Sequence, residues 1–267
     1  MGSTRNYAHA PLVLALVEVR HPPLPVPTVS QIAVVKDALR DVLPIPAEEA
    51  VHTFAVAPNG DGKFNPQVTT QQIRRLRSRD MRTTMTLTGQ SLAVETTDYP
   101  GWGTFRVLLE RALEQRAALG APDGVTRIGL RYVNEVRLPD ATGSPPNWGD
   151  WLDRQVAPLQ PAGMAVSVAQ QQSTVLFNTD RLGDKLTLRY GAVNGPPAVS
   201  GAARPDAPGP GLYFLLDTDA AWEQTGEVPE FDQQMILATL DRLHGDVSDL
   251  FESVLTDKIR EEVFDGD

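Results

Sequence analysis

The chain has 267 residues, no cysteine and a formal net charge of −10. A chain without cysteine has no disulfides, thiolate metal ligands or cysteine nucleophiles, and this composition is typical of a reducing compartment. The acidic balance disfavours non-specific binding to nucleic acids or anionic membranes. Residues 1–10 hold no basic segment followed by a long apolar run, so we expect no signal peptide, no membrane association and a cytoplasmic location.

Residues 1–122 show the pattern of a strand, a helix, several strands and a second helix. The first strand is apolar on both alternating faces, which indicates a central strand that is covered on both sides. A helix then begins at Thr28 or Ser30, either of which can cap it. In chain order the predicted elements are a strand at 11–20, a helix to about Val42, strands at 51–57, 70–77, 82–88 and 91–97, and a helix at 104–119.

Residues 123–267 repeat this order of elements. Apolar residues spaced four and three apart near the end of the chain predict a long helix with one apolar stripe. In chain order the predicted elements are a strand at 125–138, a short helix near 148–156, strands at 164–178, 185–193 and 211–217, and a helix at 231–264.

The matching order predicts an α+β protein of two pseudo-repeated strand–helix–antiparallel sheet–helix halves, residues 1–122 and 123–267. Each half would pack its long helix on its own sheet, and the halves would form one compact unit. The opening strands also end alike, in Val17-Glu18-Val19-Arg20 and Asn134-Glu135-Val136-Arg137.

Several blocks of the sequence resemble a sporadically distributed family of uncharacterised bacterial proteins. They are Ala10-Pro11-Leu12-Val13 with Glu18-Val19-Arg20, Thr96-Thr97-Asp98-Tyr99-Pro100-Gly101-Trp102 with Phe105, Arg127-Ile128-Gly129-Leu130-Arg131-Tyr132-Val133-Asn134, and Thr256-Asp257-Lys258-Ile259-Arg260-Glu261-Glu262. The resemblance spans nearly the whole chain and implies a bacterial cytosolic protein of about this length. The family's patchy distribution suggests accessory genes, such as defence or toxin–antitoxin-like systems, and carries no chemistry.

Known catalytic and cofactor motifs are missing from the sequence. The histidines His9, His21, His52 and His244 are isolated, and no phosphate-binding loop, dinucleotide fingerprint or nucleophile elbow occurs. We therefore predict no metal and no cofactor, and the catalytic residues, if any, are unknown. We interpret His244 as a partly buried histidine on a helix. We interpret the segment from Asp98 to Trp102 as a structural turn.

One basic segment, Arg74 to Arg82, stands out in the acidic chain. Its arginines would either grip phosphates or form the polar face of an edge strand. Because no aromatic residues alternate with these arginines, the segment gives little support to nucleic-acid binding.

The best candidate for a ligand site is a set of charged residues at period two on the predicted strands. If these strand faces converge, they form a groove lined by arginine and lysine that suits an anionic ligand. The alternative is a solvated sheet face with cross-strand ion pairs. The candidate residues are Arg127, Arg131, Glu135, Arg137, Lys185, Arg189, Glu18 and Arg20.

Two functions follow from this sequence, and whether the protein is an enzyme stays open. The first is a non-enzymatic partner-binding protein of a bacterial accessory operon, which would bind a protein or itself through surface helices. The second is an enzyme or sensor for a phosphate-bearing ligand, such as a nucleotide or polyphosphate, held in the arginine- and lysine-lined groove.

Overall fold

In the computed structural model, nine strands of the described residues pair side by side into one antiparallel sheet. The structure describes residues 7–58, 64–138, 146–159, 168 and 170–266, with the backbone alone over 50–58 and 64–71. The order across the sheet is β2-β3-β4-β5-β1-β6-β9-β8-β7. The strands are β1 Leu12–Arg20, β2 Ile45–Pro58, β3 Phe64–Arg77, β4 Thr83–Leu87, β5 Ser91–Thr96, β6 Arg127–Val136, β7 Ser173–Phe177, β8 Asp184–Gly195 and β9 Gly211–Glu223.

The described helices differ widely in length. They are α1 Val29–Ala38, α2 Trp102–Ala118, α3 Gln233–Ser253 and α4 Asp257–Ile259, with a 3₁₀ turn at Trp148–Asp150 and a π-helical turn at Arg260–Phe264. Thr28 begins α1 through a capping box with Gln31, in which each side chain bonds the other residue's backbone N–H. None of the helices in the described ranges combines the length and apolar character that a membrane span requires.

The core lies on the face of the sheet that carries α2 and α3. Alternate residues of the two central strands, such as Val17 of β1 and Leu130 of β6, point into it and are directly paired in register. Leu109 of α2 and Leu240 of α3 pack against them. The other set of alternate residues therefore faces away from these helices, as the period of a strand requires.

The predicted fold class is wrong, because the strands do not form two separate halves with long helices packed on their own sheets. β1 and β6 pair with each other from Leu12↔Asn134 to Arg20↔Arg127, which joins all nine strands into one sheet. A strand such as β1 has two hydrogen-bonding edges, and β5 and β6 occupy one each. The division at residue 122 stays a prediction.

Three predicted helices also come out shorter. The first, expected to run to about Val42, ends at Ala38. The helix expected near 148–156 is a three-residue 3₁₀ turn. The helix expected over 231–264 ends at Ser253, and the chain then extends so that Leu255 bridges to Leu152. Thr256 caps the next short helix, since its hydroxyl accepts a hydrogen bond from the Ile259 N–H. The predicted strand over 164–178 is described only in its last part, because 164–167 and 169 lie outside the described residues.

Candidate functional sites on the two faces of the sheet

The face of the sheet turned away from the helices carries most of the charged residues that the sequence singles out. We call it the charged face. It is built by β1, β6, β9 and β8, which are neighbours in the sheet. Its predicted members are Glu18, Arg20, Arg127, Arg131, Lys185 and Arg189, and β9 adds Asp217, Asp219 and Glu223.

Arg127 is the centre of the first group of ion pairs on the charged face. Its guanidinium lies 3.0 Å from Glu18, 3.3 Å from Asp219 and 3.7 Å from Glu223. A Cβ added at Gly129 would clash with Nη1 of Arg127, so the missing side chain of Gly129 leaves room for the guanidinium to lie along the strand. Glu18 also pairs with Arg20 at 2.8 Å, and Glu223 with Lys185 at 2.5 Å.

Asp217 is the centre of the second group. Arg131 donates two hydrogen bonds to its carboxylate, at 2.7 and 2.8 Å, and Arg189 lies at 3.6 Å. The side chain of Asp217 is buried, whereas those of the two arginines remain nearly half exposed. Hydrogen bonding to Asp217 raises the pKa of Arg131, against the opposing effect of its burial.

Glu135 and Arg137 form a third, separate group near the other end of β6. The Glu135 side chain is fully buried, and it accepts hydrogen bonds from Arg137 at 2.6 Å, Arg204 at 3.2 Å and the Ala198 N–H at 2.9 Å. The last two partners belong to the segment between β8 and β9, which therefore lies over this end of the strand. The shared Glu-Val-Arg ending thus makes the same ion pair in both central strands.

The charged face is close to balanced in charge. Its five cations in the first two groups face four carboxylates, and every one of the five makes an ion pair. A phosphate entering here would compete with carboxylates that already accept the guanidinium hydrogen bonds. The structure therefore brings six of the predicted residues together on one face, but as a network of ion pairs and not as a groove of free cations.

A cavity of about 300 Å³ lies on the opposite, helix-bearing face. We call it the aromatic cavity. It opens where the N-terminus of α2, the second half of α3, the start of β1 and the second half of β6 meet. The aromatic residues that line it are Tyr7, Tyr99, Trp102, Tyr132 and Phe251, and the polar ones are Asn134, His244, Ser248, Asp249 and Glu252.

Three polar side chains form a hydrogen-bonded chain along one wall of the aromatic cavity. The hydroxyls of Tyr99 and Tyr132 lie 2.8 Å apart, and the Tyr132 hydroxyl lies 3.1 Å from Nδ1 of His244. The Ser248 hydroxyl, one turn further along α3, lies 3.4 Å from the same nitrogen. If each tyrosine donates to the next group, Nδ1 accepts and the imidazole proton sits on Nε2. Nε2 is buried and has no hydrogen-bond partner within the described ranges.

Trp102 fixes the imidazole from one side. The two rings stack with centroids 4.4 Å apart and planes 13° apart. The indole N–H donates to Asp241 of α3 at 2.9 Å, which ties the first turn of α2 to α3. Gly101, the residue before α2, has φ of +89°, a left-handed value that favours glycine and turns the chain into the helix.

Burial holds the titratable groups of this wall in their neutral forms. It lowers the pKa of His244 to about 4, although the carboxylate of Asp241 opposes the shift. It raises the pKa of Tyr99 to about 12 and moves the pKa of Tyr132 upward as well. At neutral pH the wall is therefore an uncharged set of hydrogen-bonding groups.

A second aromatic group lines the same cavity from the N-terminal segment and the end of α3. Tyr7 and Phe251 both contact Phe264, at centroid distances of 5.1 and 6.4 Å. The Tyr7 hydroxyl lies 2.9 Å from both carboxylate oxygens of Glu252, which also accepts from Arg260 at 3.2 Å. Burial is the main cause that raises the pKa of Tyr7 to about 12, and the hydrogen bond to Glu252 is the second.

The sequence predicts none of the aromatic cavity as a ligand site. It gives Asp98–Trp102 a structural role and His244 a partly buried place on a helix. His244 does lie on a helix, α3, but it is more buried than expected, at 7% exposed. Within the described ranges no group of three or more acidic, histidine or cysteine side chains is placed to hold a metal. The chain matches no protein-family model and no curated protein, so the family resemblance stays a prediction.

Proposed function

We propose that the protein is a non-enzymatic binding protein and that the aromatic cavity is its binding site. The observation that supports this proposal most is that the hydrogen-bonding groups along one wall of the cavity are neutral. Its volume of about 300 Å³ is at the small end of the range for ligand sites, and its lining combines apolar rings with a few polar groups. Such a lining suits a small molecule with an aromatic or aliphatic body.

The protonation states in the cavity favour binding over acid–base catalysis. A general base works best with a pKa near the operating pH, whereas the pKa of His244 is about 4. A general acid at neutral pH has the same requirement, whereas the pKa of Tyr99 is about 12. Neither group is poised to exchange a proton with a substrate near neutral pH.

This proposal keeps part of the first prediction from the sequence and leaves the rest as proposals. A cytosolic location, a protein partner or self-association through surface helices, and a place in a bacterial accessory operon remain proposals of their own. The phosphate-bearing ligand on the charged face is the competing proposal, and the ion pairs that occupy its arginines weigh against it.

The experiment uses Gly245, which lines the cavity from α3. A Cβ added at this position would meet no atom within 4 Å, so a large side chain can enter open space there. Ligand-observed NMR with a library of small aromatic fragments would be run on the wild type, Gly245→Phe and Gly245→Ala. We expect fragments to bind the wild type and Gly245→Ala, and to lose binding in Gly245→Phe, because the phenyl ring fills the cavity.

Arg131→Ala is the matched control on the other face of the sheet. Fragment binding should be unchanged in this variant, and thermal unfolding of all variants checks that they fold. Fragments or nucleotides whose binding survives Gly245→Phe and disappears in Arg131→Ala would overturn the proposal and favour the charged face. If no fragment binds the wild type, the proposal is also wrong.

A further inference from the structure

We propose that the ligand of the aromatic cavity is an organic ammonium ion with an apolar body. This inference rests on the proposed function, since it specifies what the cavity holds. It starts from the charge of the lining. The lining residues include two carboxylates, Asp249 and Glu252, and no lysine or arginine among the described residues.

The two carboxylates differ in how far they are already satisfied. Glu252 accepts hydrogen bonds from Tyr7 and from Arg260, so its charge is largely compensated. Asp249 is exposed and makes no hydrogen bond or ion pair with any residue of the described ranges. Asp249 is therefore the group at the cavity that is free to attract a cation.

The aromatic rings supply a second attraction for a cation. The faces of tyrosine and tryptophan rings carry negative potential and attract ammonium groups within about 6 Å. Tyr99 and Tyr132 meet at 62° with centroids 5.4 Å apart, and Trp102 stands beside them against His244. Tyr7, Tyr99, Trp102 and Phe251 are only partly buried, so part of each ring remains accessible.

The neutral wall removes the obstacle that a histidine would otherwise present. A protonated imidazole would repel an ammonium ion, but His244 is neutral near pH 7 because it is buried against Trp102 and Tyr132. An anionic ligand would meet the amide groups that begin α2, but also the charge of Asp249 on the rim. The balance of charges therefore favours the cation.

The test compares three probes of equal size and different charge. Choline carries a trimethylammonium group, 3,3-dimethylbutan-1-ol carries a neutral tert-butyl group in its place, and 3,3-dimethylbutanoate is an anion of the same shape. Their dissociation constants would be measured by NMR titration with the wild-type protein and with Gly245→Phe. We expect choline to bind at least about tenfold more tightly than the alcohol, and the anion to bind most weakly.

Two variants separate the sources of this preference. Trp102→Leu should weaken choline binding about tenfold to thirtyfold, with a smaller effect on the alcohol. Asp249→Asn should weaken choline about threefold to tenfold and leave the alcohol unchanged, because the substitution removes charge and keeps shape. Gly245→Phe should abolish binding of every probe.

The outcomes distinguish this inference from the proposed function. Equal affinities for the three probes, a preference for the anion, or absent choline binding would overturn the ammonium ligand, even where aromatic fragments still bind and are blocked by Gly245→Phe. If neither these probes nor any fragment responds to Gly245→Phe, the binding function of the cavity itself is wrong, and the inference is wrong with it.

Discussion

The two faces of the central sheet satisfy their polar groups in opposite ways. On the charged face, arginines of β1, β6 and β8 and one lysine of β8 form ion pairs with carboxylates of β1 and β9, so their charges largely cancel. In the aromatic cavity, hydroxyls and an imidazole bond one another in neutral forms. The comparison teaches that a concentration of charged residues in a sequence does not locate a ligand site, because their partners decide how much of that charge is available.

The largest expected effect comes from removing Glu135, the fully buried carboxylate of the third group of ion pairs. Glu135→Ala removes a carboxylate with no exposed side-chain surface and leaves Arg137 and Arg204 without their common partner. Removing one partner of a buried ion pair costs about 3–5 kcal/mol when the remaining charge is buried. Because Arg137 and Arg204 stay 27% and 17% exposed, we expect a loss at the lower end of this range. Urea unfolding of the variant should show a loss of this size in the free energy of unfolding.

Glu223→Ala is the control for that experiment. Glu223 belongs to the first group of ion pairs, on the charged face, and its side chain is 39% exposed. Its loss should therefore lower the free energy of unfolding by less than about 1 kcal/mol. If the two variants lose equal free energy of unfolding, the burial of Glu135 does not make its ion pairs more stabilising than those of Glu223.

The second effect tests the neutral state of the cavity wall through pH. In the folded protein the pKa of His244 is about 4, whereas an unfolded histidine has a pKa of about 6.5. Below about pH 6.5 the unfolded chain binds a proton that the folded protein refuses, so stability falls as pH decreases towards 4. The contribution is fully present above pH 6.5 and amounts to about 3 kcal/mol over this window.

His244→Gln isolates this contribution, because glutamine keeps hydrogen-bonding groups and does not titrate. The variant's free energy of unfolding, measured by urea titration from pH 7 to pH 4, should change less than that of the wild type. Part of the slope should remain, since burial also lowers the pKa of His21. Identical slopes for the two proteins would mean that His244 is readily protonated in the folded state, which contradicts the neutral wall.

Local patterns in the sequence predict the strands of the central sheet well. The alternation along β6 places Leu130 and Tyr132 on the core face and Arg127 and Arg131 on the other, because a strand has a period of two. The pairing of β1 with β6 is not predictable in this way. It joins segments more than a hundred residues apart, and the residue pattern of a strand does not indicate which other strand it pairs with.

The acidic residues of β9 are partners that the sequence comes close to predicting. The sequence predicts a strand over 211–217. The actual strand continues to Glu223, and its acidic residues at period two are the partners of the predicted arginines. A strand that runs to Glu223 places these carboxylates beside the arginines, and the sequence then indicates a network of ion pairs rather than a cationic groove.

The aromatic cavity is the part that sequence patterns predict least. Tyr99 and Tyr132 are 33 residues apart, and Tyr132 and His244 are 112 apart. The first hydrogen bond forms only when the segment before α2 lies against β6, and the second only when α3 lies across the sheet. Each residue alone has an ordinary structural explanation. Their joint role depends on tertiary packing, for which a single sequence holds no local signal.

The smallest expected effect concerns the exposed rim of the charged face. Lys185→Ala removes a cation whose side chain is 62% exposed, and Arg127 stays within 3.7 Å of the partner carboxylate, Glu223. We expect the free energy of unfolding to change by less than about 0.5 kcal/mol, because solvent screens exposed pairs and ordering the lysine costs entropy. The same difference should vanish in 1 M NaCl, where the Debye length is about 3 Å. A loss above about 2 kcal/mol would instead mean that water is excluded from this end of the face, and that the charged residues there deserve a ligand screen of their own.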